Sequence, residues 1–414
     1  MRIVVYTLGC KVNQYESDGI INKLKEMGHD VYNEIAFADI YILNTCAVTN
    51  EAEKKSRQMI AKFREQNGDA KVIVCGCASQ KNAEQFLSLP NVSLVLGNAN
   101  KNNIPNILEQ KGLLKEDLPT LYEDDNKVIP TKTRAYVKIQ DGCNNFCTYC
   151  IIPYLRGRSR SKDLTKVKSE VDYLSKMVKE IVITGINITD YKIDGVKSFD
   201  KIIEIIKNYP NVRFRLGSIE DGLIDEDFVK QIKDSNICPH FHLSLQSGSD
   251  NVLKAMNRRY TTGEFKKSVE LLKKHFKNPA ITTDIIVGFP NETEEDFEQT
   301  CKFAKEIGFY NIHIFPYSKR SGTIAEKMQD INGSIKKDRV KKLKDINSML
   351  NKKYVESSMD VEHEVLIEEK IGDYFVGHSE NYIKCYINAN LKLNEFYKIR
   401  ILKCFKDGAF ATLV

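Results

Sequence analysis

Three cysteines fall at Cys143, Cys147 and Cys150, in the stretch "DGCNNFCTYC". Thiols spaced C-x-x-x-C-x-x-C can share a metal centre. Structural zinc closes its coordination with four ligands, and this stretch offers three. Three thiolates on a 4Fe–4S cluster instead leave one iron without a protein ligand. Such an iron can bind a small molecule and pass it an electron. The cluster is the favoured reading, with structural zinc as its alternative. No side chain stands out as a catalytic acid, base or nucleophile.

A second set is scattered along the chain. Cys10 follows "RIVVYTL", Cys46 follows "DIYILNT" and Cys77 ends "KVIVCGC". Each lies just past an apolar, strand-like run. In an open α/β sheet the carboxyl ends of the strands are where ligands bind, so these thiols are expected to converge on a second metal site. The competing reading is three core cysteines, since free cysteine is often buried. A core cysteine belongs within a strand, however, and these lie beyond one. Cys75 sits inside the third strand and competes with Cys77 as a ligand. Cys238, Cys301, Cys385 and Cys404 have no partners at metal spacing and read as structural. Asp284 and His242 fall inside apolar strands, where an ionisable group needs a partner.

The elements that must position these residues fall into three parts. Residues 1–113 alternate strands with amphipathic helices, predicting a doubly wound parallel sheet. Residues 114–131, acidic and with two prolines, read as a linker. From 132 to 334, six strand-like runs separated by helices predict an incomplete (β/α)6 barrel, short of the eight strands of a closed one. Residues 335–353 carry eight Lys/Arg against Asp338 and Asp345, a net of +6. This helix could follow a phosphate backbone or form a solvated face. Residues 354–414 hold five short strands and predict a small antiparallel β-barrel of the kind that often binds nucleic acid. That module has seven basic and ten acidic residues, or −3, an awkward balance for an RNA partner. The chain opens directly on a strand, without the apolar core of a signal peptide, and no run approaches the ~20 apolar residues of a membrane span. A cytoplasmic protein is expected, where reduced thiols point to metal or catalysis before disulfides.

In combination these motifs resemble the methylthiotransferase branch of the radical S-adenosylmethionine (SAM) enzymes. "IQDGCNNFCTYCIIPYLRGRSRS" is similar to its radical SAM motif, and "TLGCKVNQYESD", "LNTCAVT" and "GCASQ" to the three cysteine motifs of its N-terminal domain. "LGSIE", "HLSLQSGSDNVLKAMNRRY" and "TDIIVGFPNETEEDF" resemble its barrel, and the last sixty residues its RNA-binding TRAM domain. The resemblance implies two 4Fe–4S clusters, one on Cys143, Cys147 and Cys150, the other on Cys10, Cys46 and Cys77. It implies SAM as a further cofactor, near Gly185, Asn187, Ser218, Glu220 and Gln246. Arg156, Arg158 and Arg160 would meet the SAM carboxylate or RNA phosphates. "TLGCKVNQ" and "VGHSENYIKCYI" resemble the members that act on threonylcarbamoyladenosine at position 37 of tRNA. Isopentenyladenosine in tRNA, or an aspartate of ribosomal protein S12, is the alternative substrate. The expected partners are the tRNA anticodon stem-loop and an electron donor such as flavodoxin or ferredoxin, with the enzyme a monomer.

Overall fold

The computed structural model describes residues 1–114, 116–123, 128–220 and 222–414; the expected linker at 114–131 lies partly outside them. The chain divides into two compact units. One comprises Met1–Leu174, Thr184–Lys197 and Ser318–Glu326, and the other the remainder.

The first unit is built on six strands: β1 (Arg2–Thr7), β2 (Asp30–Tyr32), β3 (Ile40–Thr45), β4 (Lys71–Gly76), β5 (Val92–Leu96) and β6 (Gly112–Leu114). Their order is β2-β1-β3-β4-β5-β6, and every pairing is parallel. Apolar residues alternate between its faces, as a period of two requires. Val4, Tyr41, Leu43, Val72 and Val74 pack on one side, and Ile3, Val5, Ile40, Ile42 and Ile73 on the other. Helices α1 (Lys11–Glu26), α2 (Asn50–Gln66), α3 (Cys77–Lys81) and α4 (Ala83–Leu87) connect the strands. Tyr41 stacks on Phe63 of α2 with ring centroids 4.5 Å apart. The strand order reverses between β1 and β3, and ligands of such sheets bind at the strand ends beside that reversal.

The same unit continues through β7 (Ala135–Asp141), α5 (Ile152–Arg156), β8 (Arg160–Ser161) and α6 (Leu164–Leu174), with β7 and β8 antiparallel. Next comes β9 (Glu180–Gly185), followed by a hairpin of β10 (Lys192–Ile193) and β11 (Val196–Lys197).

In the second unit, β9 pairs in parallel with β12 (Arg213–Leu216). Parallel bridges from Phe214 to Ile237 and from Ile219 to Leu243 lead on to β13 (His240–His242). Strands β13, β14 (Ala280–Val287) and β15 (Asn311–Pro316) are also parallel neighbours. Helices α7 (Phe199–Lys207), α8 (Glu226–Lys233), α9 (Asp250–Ala255), α10 (Thr262–His275) and α11 (Glu294–Ile307) fill the connections. Capping boxes start α10 at Thr261/Glu264 and α11 at Thr293/Asp296, so the "TEED" run serves a helix end. All six strand-like runs of the central segment are thus strands.

Helix α12 (Gly333–Ser357) carries the basic run. Several of its cations are neutralised within the unit: Lys336 pairs with Asp330, Arg339 with Glu292 and Glu294, and Lys342 with Glu298. Lys337, Lys341, Lys344 and Lys353 stand exposed. After it, β16 (Glu362–Ile371), β17 (Tyr374–Ser379), β18 (Lys384–Ile387), β19 (Phe396–Phe405) and β20 (Gly408–Leu413) close a barrel in the order β16-β17-β18-β20-β19. Four pairings are antiparallel and β18–β20 is parallel. Directions cannot alternate all the way around a ring of five, so one parallel pair is unavoidable. This barrel is tied to β12 by two buried arginines. Glu180 accepts from Arg213 Nε at 2.6 Å and Arg215 Nε at 3.0 Å, while both guanidiniums donate to carbonyls of Glu364, His378, Ser379 and Glu380.

Candidate metal centre

Strand register brings the scattered cysteines together. Thr7 of β1 lies opposite Asn44 of β3, and Thr45 of β3 opposite Gly76 of β4. Cys46 and Cys77 are each the next residue after that last pair, and Cys10 caps the start of α1 after β1. A side chain on Gly9, at φ +108, would strike Cys46, with its Cβ only 2.8 Å from that of Cys46. Gly76, at φ +103, would drive one into Asn44 and Thr45. Both glycines are demanded by how closely the loops approach here. Burial pushes the Cys46 thiol up to about 12; neighbouring Cys77 and Cys10 add to this and Arg156 opposes it. The three thiols therefore share one electrostatic environment. Cys75 packs with the apolar cluster of Ile42 and Ile73, whereas Cys77 packs with that of Leu43 and Val74, on opposite faces of the sheet.

A buried charge network borders these thiols. Arg156, 1% exposed, donates to Asn13 Oδ1 at 2.6 Å, Glu16 Oε1 at 2.9 Å and both Asp141 oxygens at 3.2 Å. Lys101 and Lys138 also pair with Glu16. The Glu16 carboxyl is held well below its ordinary range because Arg156, Lys101 and Lys138 outweigh its burial. Asp141 is held at about 2 by Arg156, Lys138 and Arg160, again against burial. Lys101 also donates to Asn98 Oδ1 at 3.1 Å, and Asn98 Nδ2 approaches the Cys77 sulfur at 3.5 Å and donates to the Leu155 carbonyl at 2.8 Å.

The C-x-x-x-C-x-x-C loop begins at the end of β7 and closes on itself. Cys143 N donates to the Gly157 carbonyl at 3.2 Å, Cys150 N to that of Cys147 at 2.9 Å, and Asn145 N approaches the Cys143 sulfur at 3.5 Å. Its three cysteines are half-buried. Two of the three neighbouring arginines depart from expectation. Arg156 is enclosed by its carboxylates, and Arg160 is taken by Asp141 and the carbonyls of Arg156 and Arg158. Arg158 alone is exposed, stacked 4.4 Å over Phe146.

Of the expected SAM-pocket residues, Gly185 and Asn187 follow β9 beside Gln140. A side chain on Gly185 would meet the Gln140 carbonyl at 2.9 Å, and Asn187 N donates to Gln140 Oε1 at 2.7 Å. In the second unit, Ser218 and Glu220 lie past β12 and Gln246 past β13. The two segments are joined where Ser244 N donates to the Ile219 carbonyl at 3.1 Å. Glu220 pairs with Arg258 at 2.9 Å, and Gln246 adopts φ +71. His242 and Asp284 partner each other at 3.3 Å, and Asp284 also meets His313 at 3.0 Å. Sequence reasoning missed His313. It also missed Asn13 and Glu16, whose i, i+3 placement on α1 beside Cys10 was the available signal.

The donor chemistry fits iron–sulfur clusters. Each cysteine set offers three soft thiols, with hydrogen bonds to sulfur and a buried cation, Arg156, near Cys10 and Cys46. A single ion needs its ligand atoms crowded together, and among the described residues the cysteines form no group of three within 4.8 Å.

Comparison with known proteins agrees. Residues 137–304 match the radical SAM superfamily, and residues 2–97 match a family described as Uncharacterized protein family UPF0004. The chain is 36% identical to the threonylcarbamoyladenosine tRNA methylthiotransferase MtaB of Bacillus subtilis, over all of this chain and 97% of that one. It is 37% identical to the MtaB of Thermotoga maritima, over 98% and 96%. A tRNA-2-methylthio-N(6)-dimethylallyladenosine synthase of Thermodesulfovibrio yellowstonii is 34% identical over 98% and 97%. Among solved structures, the radical SAM methyltransferase TsrM from Kitasatospora setae shares the fold, with TM-score 0.55, 11% identity and coverage of 76% and 74%. The cobalamin-dependent SAM radical enzyme OxsB does so at TM-score 0.52, with 12% identity and coverage of 84% and 56%. With its cysteines gathered at the strand ends of one sheet and along one loop, and with relatives alike over nearly their whole length, the chain belongs to the radical SAM methylthiotransferase family, of the MtaB type.

Proposed function

We propose that this enzyme inserts a methylthio group at carbon 2 of N(6)-threonylcarbamoyladenosine, position 37 of tRNA. The observation that carries the reading is that Cys10, Cys46 and Cys77 lie past the carboxyl ends of the neighbouring strands β1, β3 and β4, in the same unit as the Cys143–Cys150 loop. Near full-length likeness to the MtaB enzymes supports the substrate. Cys143, Cys147 and Cys150 would hold the radical SAM cluster, and Cys10, Cys46 and Cys77 the auxiliary one. When bound, the clusters and SAM supply reductive SAM cleavage, hydrogen abstraction from the base, and a sulfur that is methylated.

The chain's own residues prepare these sites. Arg156 opposes the burial that raises the Cys46 thiol, favouring the thiolate a cluster requires. Glu16 and Asp141 hold that guanidinium in place. Asn98 places an amide against the Cys77 sulfur. Gly185 and Asn187 of the first unit, and Ser218, Glu220 and Gln246 of the second, each at or past the carboxyl end of a strand, are the residues that would contact SAM.

The terminal module, read as a TRAM domain, would grip the anticodon arm despite its negative net charge. Tyr374, Tyr386, Phe405 and Phe410 form one aromatic cluster, with Lys406 5.1 Å over Tyr374 and Tyr386 and Lys403 5.8 Å over Phe410. Rings beside cations make a platform on which unpaired bases stack. The enzyme would act in the cytoplasm as a monomer, reduced by a flavodoxin or ferredoxin. Among the described residues no helix is long and apolar enough to cross a membrane.

The test is anaerobic turnover of two tRNAs, one bearing threonylcarbamoyladenosine and one isopentenyladenosine, with nucleosides read by mass spectrometry. Methylthiolation of the first alone is expected. Conversion of the second alone would move this enzyme to the dimethylallyladenosine type.

A further inference from the structure

His242, Asp284 and His313 converge from three adjacent parallel strands, well away in sequence from every cysteine assigned to a cluster. His242 Nε2 lies 3.3 Å from Asp284 Oδ2, and His313 Nδ1 lies 3.0 Å from Asp284 Oδ1. The two imidazoles stack at 5.5 Å with 28° between their planes, so their edges address the same carboxylate. All three ligand atoms lie within 4.8 Å of one another, the one group of three with this property among the described residues.

Thr282 orients His242. Thr282 Oγ1 lies 3.1 Å from its Nδ1 and 3.2 Å from His240 Nε2. When Nδ1–H donates to Thr282, the Nε2 lone pair faces a carboxylate oxygen, and either a proton or a metal cation lies between the two acceptors. A ligating histidine is usually oriented by a hydrogen bond from its other ring N–H, and the Thr282 hydroxyl is placed to accept that bond. Exposure rises across the group, from 12% for the His242 side chain to 29% for Asp284 and 53% for His313, so one side is open to solvent.

We infer that His242, Asp284 and His313 bind one divalent transition-metal ion, separate from the iron–sulfur clusters. Two imidazoles and a carboxylate with open positions suit zinc or ferrous iron, and the free positions would take water or an anionic oxygen.

Equilibrium dialysis against Zn2+ tests this on the full-length protein carrying both clusters. After brief chelation, zinc and iron are read together by elemental mass spectrometry. One zinc per chain is expected, with iron unchanged. Thr282→Val should weaken binding about 10–100-fold. His313→Ala, at a half-exposed position that does not threaten the fold, and Asp284→Asn should abolish it while keeping their iron. If the wild type takes no zinc, takes it only as iron is lost, or takes as much as His313→Ala, the site does not exist.

Discussion

At the residue scale, the two cysteine sets should fail differently. Cys147→Ala should abolish SAM cleavage while leaving an iron cluster on the N-terminal sheet. Cys46→Ala should still cleave SAM yet transfer no sulfur. Anaerobic assays of 5′-deoxyadenosine and of modified tRNA separate the two, and loss of SAM cleavage in Cys46→Ala with its radical cluster intact would refute this division. Glu16 carries a different burden, since Glu16→Gln removes a carboxylate that Arg156, Lys101 and Lys138 share in a buried site. Removing one partner of a buried charge network costs about 3–5 kcal/mol, readable by denaturant unfolding. Asp18 should behave oppositely. Burial raises its carboxyl to about 6, despite bonds from Thr131 and Gln14. A carboxyl whose folded pKa is raised destabilises the fold above that value, and the penalty fades as pH falls through 6 towards the ordinary 3.8. Asp18→Asn should therefore stabilise the protein at pH 7.5, by about 3 kcal/mol at most, and make no difference below pH 4. All six proposed ligands could be picked out from spacing and strand ends. Glu16 and Asp141 could not, because a buried carboxylate is recognisable only once its cations are placed.

At the element scale, periodicity revealed the strands well. Runs buried on both faces, such as "IYILNT", are continuous in sequence because a parallel sheet has no solvent face. The one parallel pair in the terminal barrel follows from closing five strands and has no local signature. The basic helix shows where charge counting stops. Lys336, Arg339 and Lys342 meet acidic partners from elsewhere in the fold, which composition cannot reveal. Replacing Lys337, Lys341, Lys344 and Lys353 with Ala should lower the salt dependence of tRNA affinity by about 0.7–0.9 in log–log slope for each lysine that meets a phosphate. An unchanged slope would remove α12 from the RNA interface. Glu180 joins β9 to Arg213 and Arg215 of β12, which in turn hold the terminal barrel. Glu180→Gln should cost about 3–5 kcal/mol by leaving two buried cations under-compensated.

At the scale of the whole molecule, an α/β sheet presenting thiols, a radical SAM core and a small aromatic-faced barrel together describe an enzyme that brings sulfur chemistry to an RNA base. Resemblance carried the substrate, since neither cysteine spacing nor sheet order distinguishes one modified adenosine from another. The most direct measurement is therefore of the product in cells. The protein is expressed in a host lacking its own enzyme of this type, and tRNA nucleosides are compared by mass spectrometry with and without it. New 2-methylthio-N(6)-threonylcarbamoyladenosine is the expected result. Its absence, from cells whose purified protein is brown and cleaves SAM, would contradict the account.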